Sequence, residues 1–222
     1  GFEEVRDWKS AALAVQPLAG FKVDVCSNFP PREGQTATQQ VAIASRLQPM
    51  SAWAEEWKTG SAIKPPRGFA FAAYRVAPQK MLLVYALHLK SNRGELVENI
   101  AIREESMRQL LAHMQAMEAA YGELGEIAWI VGGDFNTDPE DARFQKEKTV
   151  ALLRARGFQW CWQTTASDRR VTMPPDKRFP AASFDHIFFR GLHLERAEVA
   201  STSTASSDHR AVRADFTLPE SR

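Results

Sequence analysis

Four short strings gather the groups of this 222-residue chain that can move protons or hold cations. They are Leu87-His88-Leu89-Lys90-Ser91, Gly132-Gly133-Asp134-Phe135-Asn136, Ser183-Phe184-Asp185-His186-Ile187-Phe188 and Ser206-Ser207-Asp208-His209-Arg210. Three of the five histidines and three aspartates fall inside them, mostly where an apolar run ends. Carboxylates and imidazoles collected at strand ends suit metal binding and acid–base work. Period-two geometry refines each string. Asp134 and Asn136 project together while Phe135 packs behind them, but Asp185 and His186 cannot both face one site, nor can Glu3 and Glu4. The glycine pair before Asp134 lets backbone approach a ligand closely or marks a tight strand end.

Those strings need elements to position them. Apolar spacing predicts a helix over residues 7–16, ended by Pro17 and Gly20, then strands over 21–26 and 40–45. Residues 49–68, with Gly60 and Pro65-Pro66, read mostly as connection. Strands follow over 69–76 and 81–88, joined by a turn around Pro78. The unbroken apolar run of the second is expected of a strand buried on both faces. The longest helix signal covers 95–121, with Leu96, Ile100, Met107, Leu111, Met114 and Met117 as its apolar stripe. After a buried strand at 127–131, Asp138-Pro139 resembles an N-cap with proline at the first position, opening a helix to Gly157. Closing strands are expected over 158–162, 183–189, 192–199 and 211–216. No repeat, low-complexity tract or linker breaks the pattern, so residues 1–222 read as a single domain of mixed-sheet α/β architecture.

Composition bounds the function. Hydrophobic residues make up 44% and charged residues 25%, ordinary globular usage that excludes a disordered or collagen-like chain. Against 27 Asp and Glu stand 28 Lys and Arg, a net charge of +1, so no general basic coat exists and any anion groove must be built locally. No apolar run approaches the roughly 18 residues of a membrane span. Cys26 and Cys161 are too few for a disulfide scaffold and leave the compartment open, and no signal-peptide pattern opens the chain. P-loop, His-Glu-x-x-His and Gly-x-Ser-x-Gly templates are absent.

Read in order, with Glu3-Glu4-Val5 standing for a Gln-Glu-Val pattern, these motifs resemble the endonuclease/exonuclease/phosphatase superfamily of deoxyribonuclease-like phosphoesterases. The resemblance runs from Glu4 to Phe216 through His-Leu-Lys-Ser, Gly-Asp-Phe-Asn, Phe-Asp-His-Ile and Ser-Asp-His. It implies a four-layer α/β/β/α sandwich with two mixed β-sheets. It also implies that Glu4 and Asp208 hold a divalent ion, Mg²⁺ or Mn²⁺. Asp134 would orient or deprotonate the attacking water, and Asn136 would hydrogen-bond the scissile phosphate. Asp185 would pair with His209, and His88 would contact the phosphate or leaving oxygen. Whether aspartate or histidine is the general base stays open. The family's first strand, which ends in an asparagine, has no counterpart here. The chain is expected to lack it, and neither Asn28 nor Asn92 matches its motif.

The leading expectation is a metal-dependent endonuclease, monomeric, acting on nucleic acid by one-step attack of water. A phosphatase or phosphodiesterase of a small or lipid phosphate is the alternative, and a non-catalytic binding module is a third class. Lys90 and Arg178 are the candidate substrate contacts among loop charges that include Arg67, Arg93 and Lys177. His186 reads as packing, His113 as structural, Glu3 as solvent-facing or supporting. Trp160, Cys161 and Trp162 read as core.

Overall fold

The computed structural model describes residues 1–31, 39–59, 63–175, 177, 180–200 and 207–219. In chain order the elements are β1 (Phe2–Val5), α1 (Trp8–Val15), β2 (Lys22–Cys26), β3 (Gln40–Ser45), β4 (Ser51–Glu56), β5 (Gly68–Ala77) and β6 (Lys80–His88). These are followed by α2 (Leu96–Tyr121), β7 (Glu126–Asp134), α3 (Thr149–Ala155), β8 (Gln159–Trp160), β9 (Asp185–Arg190), β10 (His193–Val199) and β11 (Val212–Thr217).

Strand alternation explains the layering. Along β5 and β6, Phe69, Phe71, Ala73, Leu83, Tyr85 and Leu87 point to one side, where Met107, Leu110, Leu111 and Met114 of α2 and Val150 and Leu153 of α3 cover them. Ala70, Ala72, Tyr74 and Ala86 point to the other, against Val25, Val41 and Ile43 of a second β layer. Helix α1, capped by Asp7 through a 2.8 Å bond from the Ser10 amide, buries Ala11 and Val15 against the outer side of that layer. The result is helices, sheet, sheet and helix: a four-layer α/β/β/α sandwich.

The central sheet runs β4-β5-β6-β7-β9-β8, with one parallel pair, β6 and β7, linked over α2 as a crossover. The second layer is antiparallel and comes in two pieces, β1-β3-β2 and the hairpin β10-β11. The hairpin packs on the same side of the central sheet through Phe216 on Phe189.

Three expectations change. Part of the stretch read as connection is β4, an edge strand paired with β5 so that Trp53 stands opposite Phe71. Trp53 packs toward the helices and Ala52 and Ala54 toward the second β layer, but none is fully buried, and Ser51, Glu55 and Glu56 leave no continuous apolar run, so the buried-strand signature is missing. The helix expected from Asp138 to Gly157 is instead a turn, a 3₁₀ segment at Ala142–Phe144, and the short α3. The Asp138 carboxylate accepts from the Glu140 amide at 3.0 Å and that of Asp141 from the Arg143 amide at 2.8 Å. Each side chain thus offers the backbone a turn in place of the helix ladder. The closing strand read over 158–162 is only Gln159–Trp160. Trp160, Cys161 and Trp162 are all buried and both cysteines are free. Burial pushes the Cys161 thiol up to about 12, so it packs as a small hydrophobe.

Candidate active site

Strand register assembles the centre. His88 ends β6 opposite Asp134, the last residue of β7, and Asp134 stands opposite Asp185, the first residue of β9. Directly paired residues on neighbouring strands share a face, so three separate strings form one row. Gly133 permits this crowding. It adopts φ 144°, and a Cβ placed there would lie 1.9 Å from the Leu87 carbonyl oxygen. His186, one residue past Asp185, turns into the core between Trp160 and Phe135. Its Nδ1 accepts from the Trp160 indole at 3.2 Å and its Nε2–H donates to the Thr137 carbonyl at 2.8 Å. Burial lowers its proton affinity, so it is a neutral packing group.

His209 arrives on the loop before β11. The Arg210 amide donates to the Thr172 carbonyl at 2.7 Å, while the Thr172 hydroxyl accepts from the Phe184 and Asp185 amides, each at 3.1 Å. One threonine therefore fixes both ends of the next contact. His209 Nδ1–H donates to the Asp185 carboxylate at 2.7 Å. Burial opposes the charged ring, but the bond to Asp185 and the charges of Asp185, Asp134 and Asp208 raise its pKa to about 9. Asp134 is pushed well above the usual carboxylate range by burial and by the charge of Asp185. Glu3 is raised to about 7 by burial, with the Asp185 charge adding, so it stands by this centre rather than in open solvent.

Asn136 folds back on Asp134. Its amide N–H donates to Asp134 Oδ1 at 2.8 Å, and its side-chain Nδ2 donates to Asp134 Oδ2 at 2.9 Å and to the Leu89 carbonyl at 3.2 Å. Both amide hydrogens are thus directed at protein groups, which makes Asn136 a clamp on the carboxylate. On the far side of Asp134 is His88, buried, with Nε2 3.6 Å from Asp134 Oδ2 and 3.5 Å from Glu4 Oε1. Glu4 itself is exposed, at φ 56°, and accepts from Gln39 Nε2 at 2.8 Å. Arg67 donates to Gln39 at 2.6 Å and to the carbonyls of His88 and Leu89 at 3.0 and 2.6 Å.

Glu3, Glu4, Gln39, Arg67, His88, Asp134, Asn136, Asp185 and His209 line one open cleft of about 700 Å³, which also takes in Asp208, Lys90, Arg93, Asn92 and Arg143. The structure therefore brings together His88, Asp134, Asn136, Asp185, His209, Glu4, Asp208 and Lys90, while Arg178 lies outside the described residues. Lys90 Nζ donates to the Ser91 and Arg93 carbonyls, each at 3.0 Å, which ties it to its own loop. Among the described residues, ligand atoms of Asp134, Asp185 and His209 lie within 4.8 Å of one another and could hold a metal ion. Glu4 and Asp208 line the same cleft outside that tight group.

Sequence reading misses Gln39, Asn92 and the pair Arg103–Glu147 behind the cleft. Only Arg103 leaves a signal: it falls at helical spacing on the apolar stripe with Met107, Leu110 and Met114, where a charge is out of place.

Several known proteins are similar to this chain. A UPF0294 protein of Vibrio vulnificus (strain YJ016) is 26% identical over 160 residues, 71% of this chain and 47% of that protein. The chain thus spans about half the length of the curated relatives it matches. The mannosyl-6-phosphatase Bt3783 of Bacteroides thetaiotaomicron superposes with a TM-score of 0.66 at 17% identity, covering 95% of this chain and 82% of that one. TDP2 of D. rerio, complexed with a single-strand DNA product, gives 0.65 at 14% identity over 97% and 84% of the two chains. These likenesses establish the fold. The model of the Endonuclease/Exonuclease/phosphatase family matches residues 1–209, and the chain belongs to that family, whose members are phosphoesterase hydrolases.

Proposed function

We propose that this chain is a divalent-metal-dependent phosphodiester hydrolase that cleaves nucleic acid internally and works as a monomer. The observation that carries the reading is the 2.7 Å Asp185–His209 pair facing the buried Asp134–Asn136 clamp in one cleft. The donor set fits a hard ion, Mg²⁺ or Mn²⁺: several carboxylates, two imidazoles, His88 and His209, and no thiol among the described lining residues. Glu4 and Asp208 would hold the ion beside the Asp134–Asp185–His209 group. When bound, such an ion polarises a phosphoryl oxygen and offsets developing charge.

The chain's own groups divide the remaining work. Asp134, its proton affinity raised by burial, takes the proton of the attacking water. The water oxygen bonds to phosphorus as the leaving oxygen departs with a proton from His209 Nε2. Asp185 keeps that imidazole charged and oriented through Nδ1. His88, on the other side of Asp134, contacts the phosphate.

The shape of the cleft favours a nucleic acid. Lys90, Arg93 and Arg143 line the cleft together with the apolar group of Leu96, Phe144 and Met173, and Arg143 lies over the Phe144 ring. Phosphates and base faces need those two surfaces together. The net charge of +1 and the likeness to a mannosyl-6-phosphatase keep a small phosphate ester as the second reading. Supercoiled plasmid, RNA, sugar phosphates and phosphoinositides, each assayed with Mg²⁺, Mn²⁺ or EDTA, separate the two. The proposal expects metal-dependent nicking of the plasmid that disappears in Asp134→Asn. Hydrolysis of a sugar phosphate without nicking would replace it with the second reading.

A further inference from the structure

Behind the cleft, a buried ion pair sits where helix α2 should present an aliphatic residue. Arg103 and Glu147 have side-chain exposures of 0% and 2%. The guanidinium meets the carboxylate in a fork, Nε to Oε1 at 2.8 Å and Nη2 to Oε2 at 2.7 Å. Thr149 Oγ1 donates to the same carboxylate at 2.7 Å, and the guanidinium lies 5.6 Å from the centre of the Phe144 ring. Burying two charges contributes little net stability compared with an apolar pair of the same volume. Its return here is geometric.

The third nitrogen makes that geometry. Arg103 Nη1 donates to the Lys90 carbonyl at 3.0 Å and to Asn92 Oδ1 at 2.9 Å. Asn92 then donates through Nδ2 to the Asn136 carbonyl at 2.8 Å. Asn136 stands at φ 53°, a left-handed conformation that must be held in place, and it clamps both oxygens of Asp134. A rigid fork thus connects α2 to the turn that aims the carboxylate, and it fixes the Lys90–Asn92 loop at the same time.

We propose that Glu147, Arg103 and Asn92 form a positioning relay that sets the Asp134–Asn136 turn for the reaction. The relay acts through Asn136, and this inference rests on the reading of the cleft as a phosphoesterase centre.

The decisive variant is Asn92→Asp, which keeps the acceptor for Arg103 and removes the donor to Asn136. With the full chain and Mg²⁺, kcat for the best substrate is expected to fall about 10- to 100-fold, while KM and the melting temperature stay near wild type. The Asn136 amide cross-peak in a ¹H–¹⁵N spectrum should shift with it. Arg103→Lys retains charge but loses the fork; it should lower kcat similarly and add little when combined with Asn92→Asp. An unchanged kcat in Asn92→Asp, with an active wild type, overturns the relay. So does a loss of folded protein with normal kcat per folded molecule, which is a purely structural role. If the wild type cleaves nothing in the panel, the cleft reading fails by itself. The amide shift then still decides whether Asn92 governs the turn, and a stationary Asn136 peak refutes it.

Discussion

The two histidines that flank Asp134 are held in opposite ways. His209 donates to Asp185 at 2.7 Å from a loop, partly open to the cleft. His88 is buried at a strand end, and its Nε2 stands 3.5 Å from Glu4 and 3.6 Å from Asp134, longer contacts than that of His209. A short pair fixes charge and direction. A longer one leaves Glu4 able to turn toward a cation, with Gln39 holding it by a hydrogen bond. One side of the cleft is thus set before substrate arrives, and the other is adjustable.

The largest effects should come from the fixed side. His209→Ala and Asp185→Asn are each expected to lower kcat by about 10² to 10⁴-fold in the nicking assay, with little change in folding. An Asp185→Asn enzyme within about threefold of wild type would show that the short pair is ornamental to the reaction. Next is the support beneath Asp134. Glu147→Gln leaves the Arg103 charge buried and uncompensated, at about 3–5 kcal/mol of stability, read as a lower denaturant midpoint with unchanged slope.

The adjustable side should respond more mildly. His88→Gln is expected to cost about tenfold in kcat, and Glu4→Gln to raise the metal concentration required while sparing kcat at saturation. A Glu4→Gln enzyme with an unaltered metal titration would erase the contrast between the two sides. The smallest effect uses a histidine far from the cleft. His113 is enclosed by Trp53, Phe69, Phe71 and Tyr85, and burial lowers its proton affinity. The unfolded ring then binds a proton more readily than the folded one. Stability is therefore full above the ordinary histidine value near 6.5 and falls as pH drops below it, by at most about 1.4 kcal/mol per pH unit. Denaturant curves from pH 7 to 5 should be flatter for His113→Gln than for wild type.

Much of this centre was legible in the sequence because it lies at strand ends. His88, Asp134 and Asp185 close or open apolar runs, and period-two geometry sets Asp185 and His186 on opposite faces, with the family resemblance marking Asp185 as the one in the site. What stayed hidden depends on contacts across the fold. Arg67 and Gln39 meet only after β3 and the turn before β5 come together, and Asn92 gains its role through Arg103 from a different element. The failed helix after Asp138 was lost to two aspartate side chains competing for backbone amides, a choice that spacing cannot reveal. β4 is hidden because its apolar residues are few and only partly buried, with small alanines on one face and Ser51 and Glu55 beside Trp53 on the other.

The close approach at Gly133 also decides how the chain finds its own pairing. If β7 slid by one residue against β6, every side chain would move to the opposite face, and Asp134 would be turned away from His88. Slid one way, β7 would bring Asp134 and its Cβ to the position opposite Leu87, where the carbonyl leaves a Cβ 1.9 Å; slid the other way, it would bring Gly132, which has none. The glycine that makes room for the catalytic row therefore also acts as an assembly check. The slip toward Asp134 is opposed by steric clash before it can bury a misaligned active site.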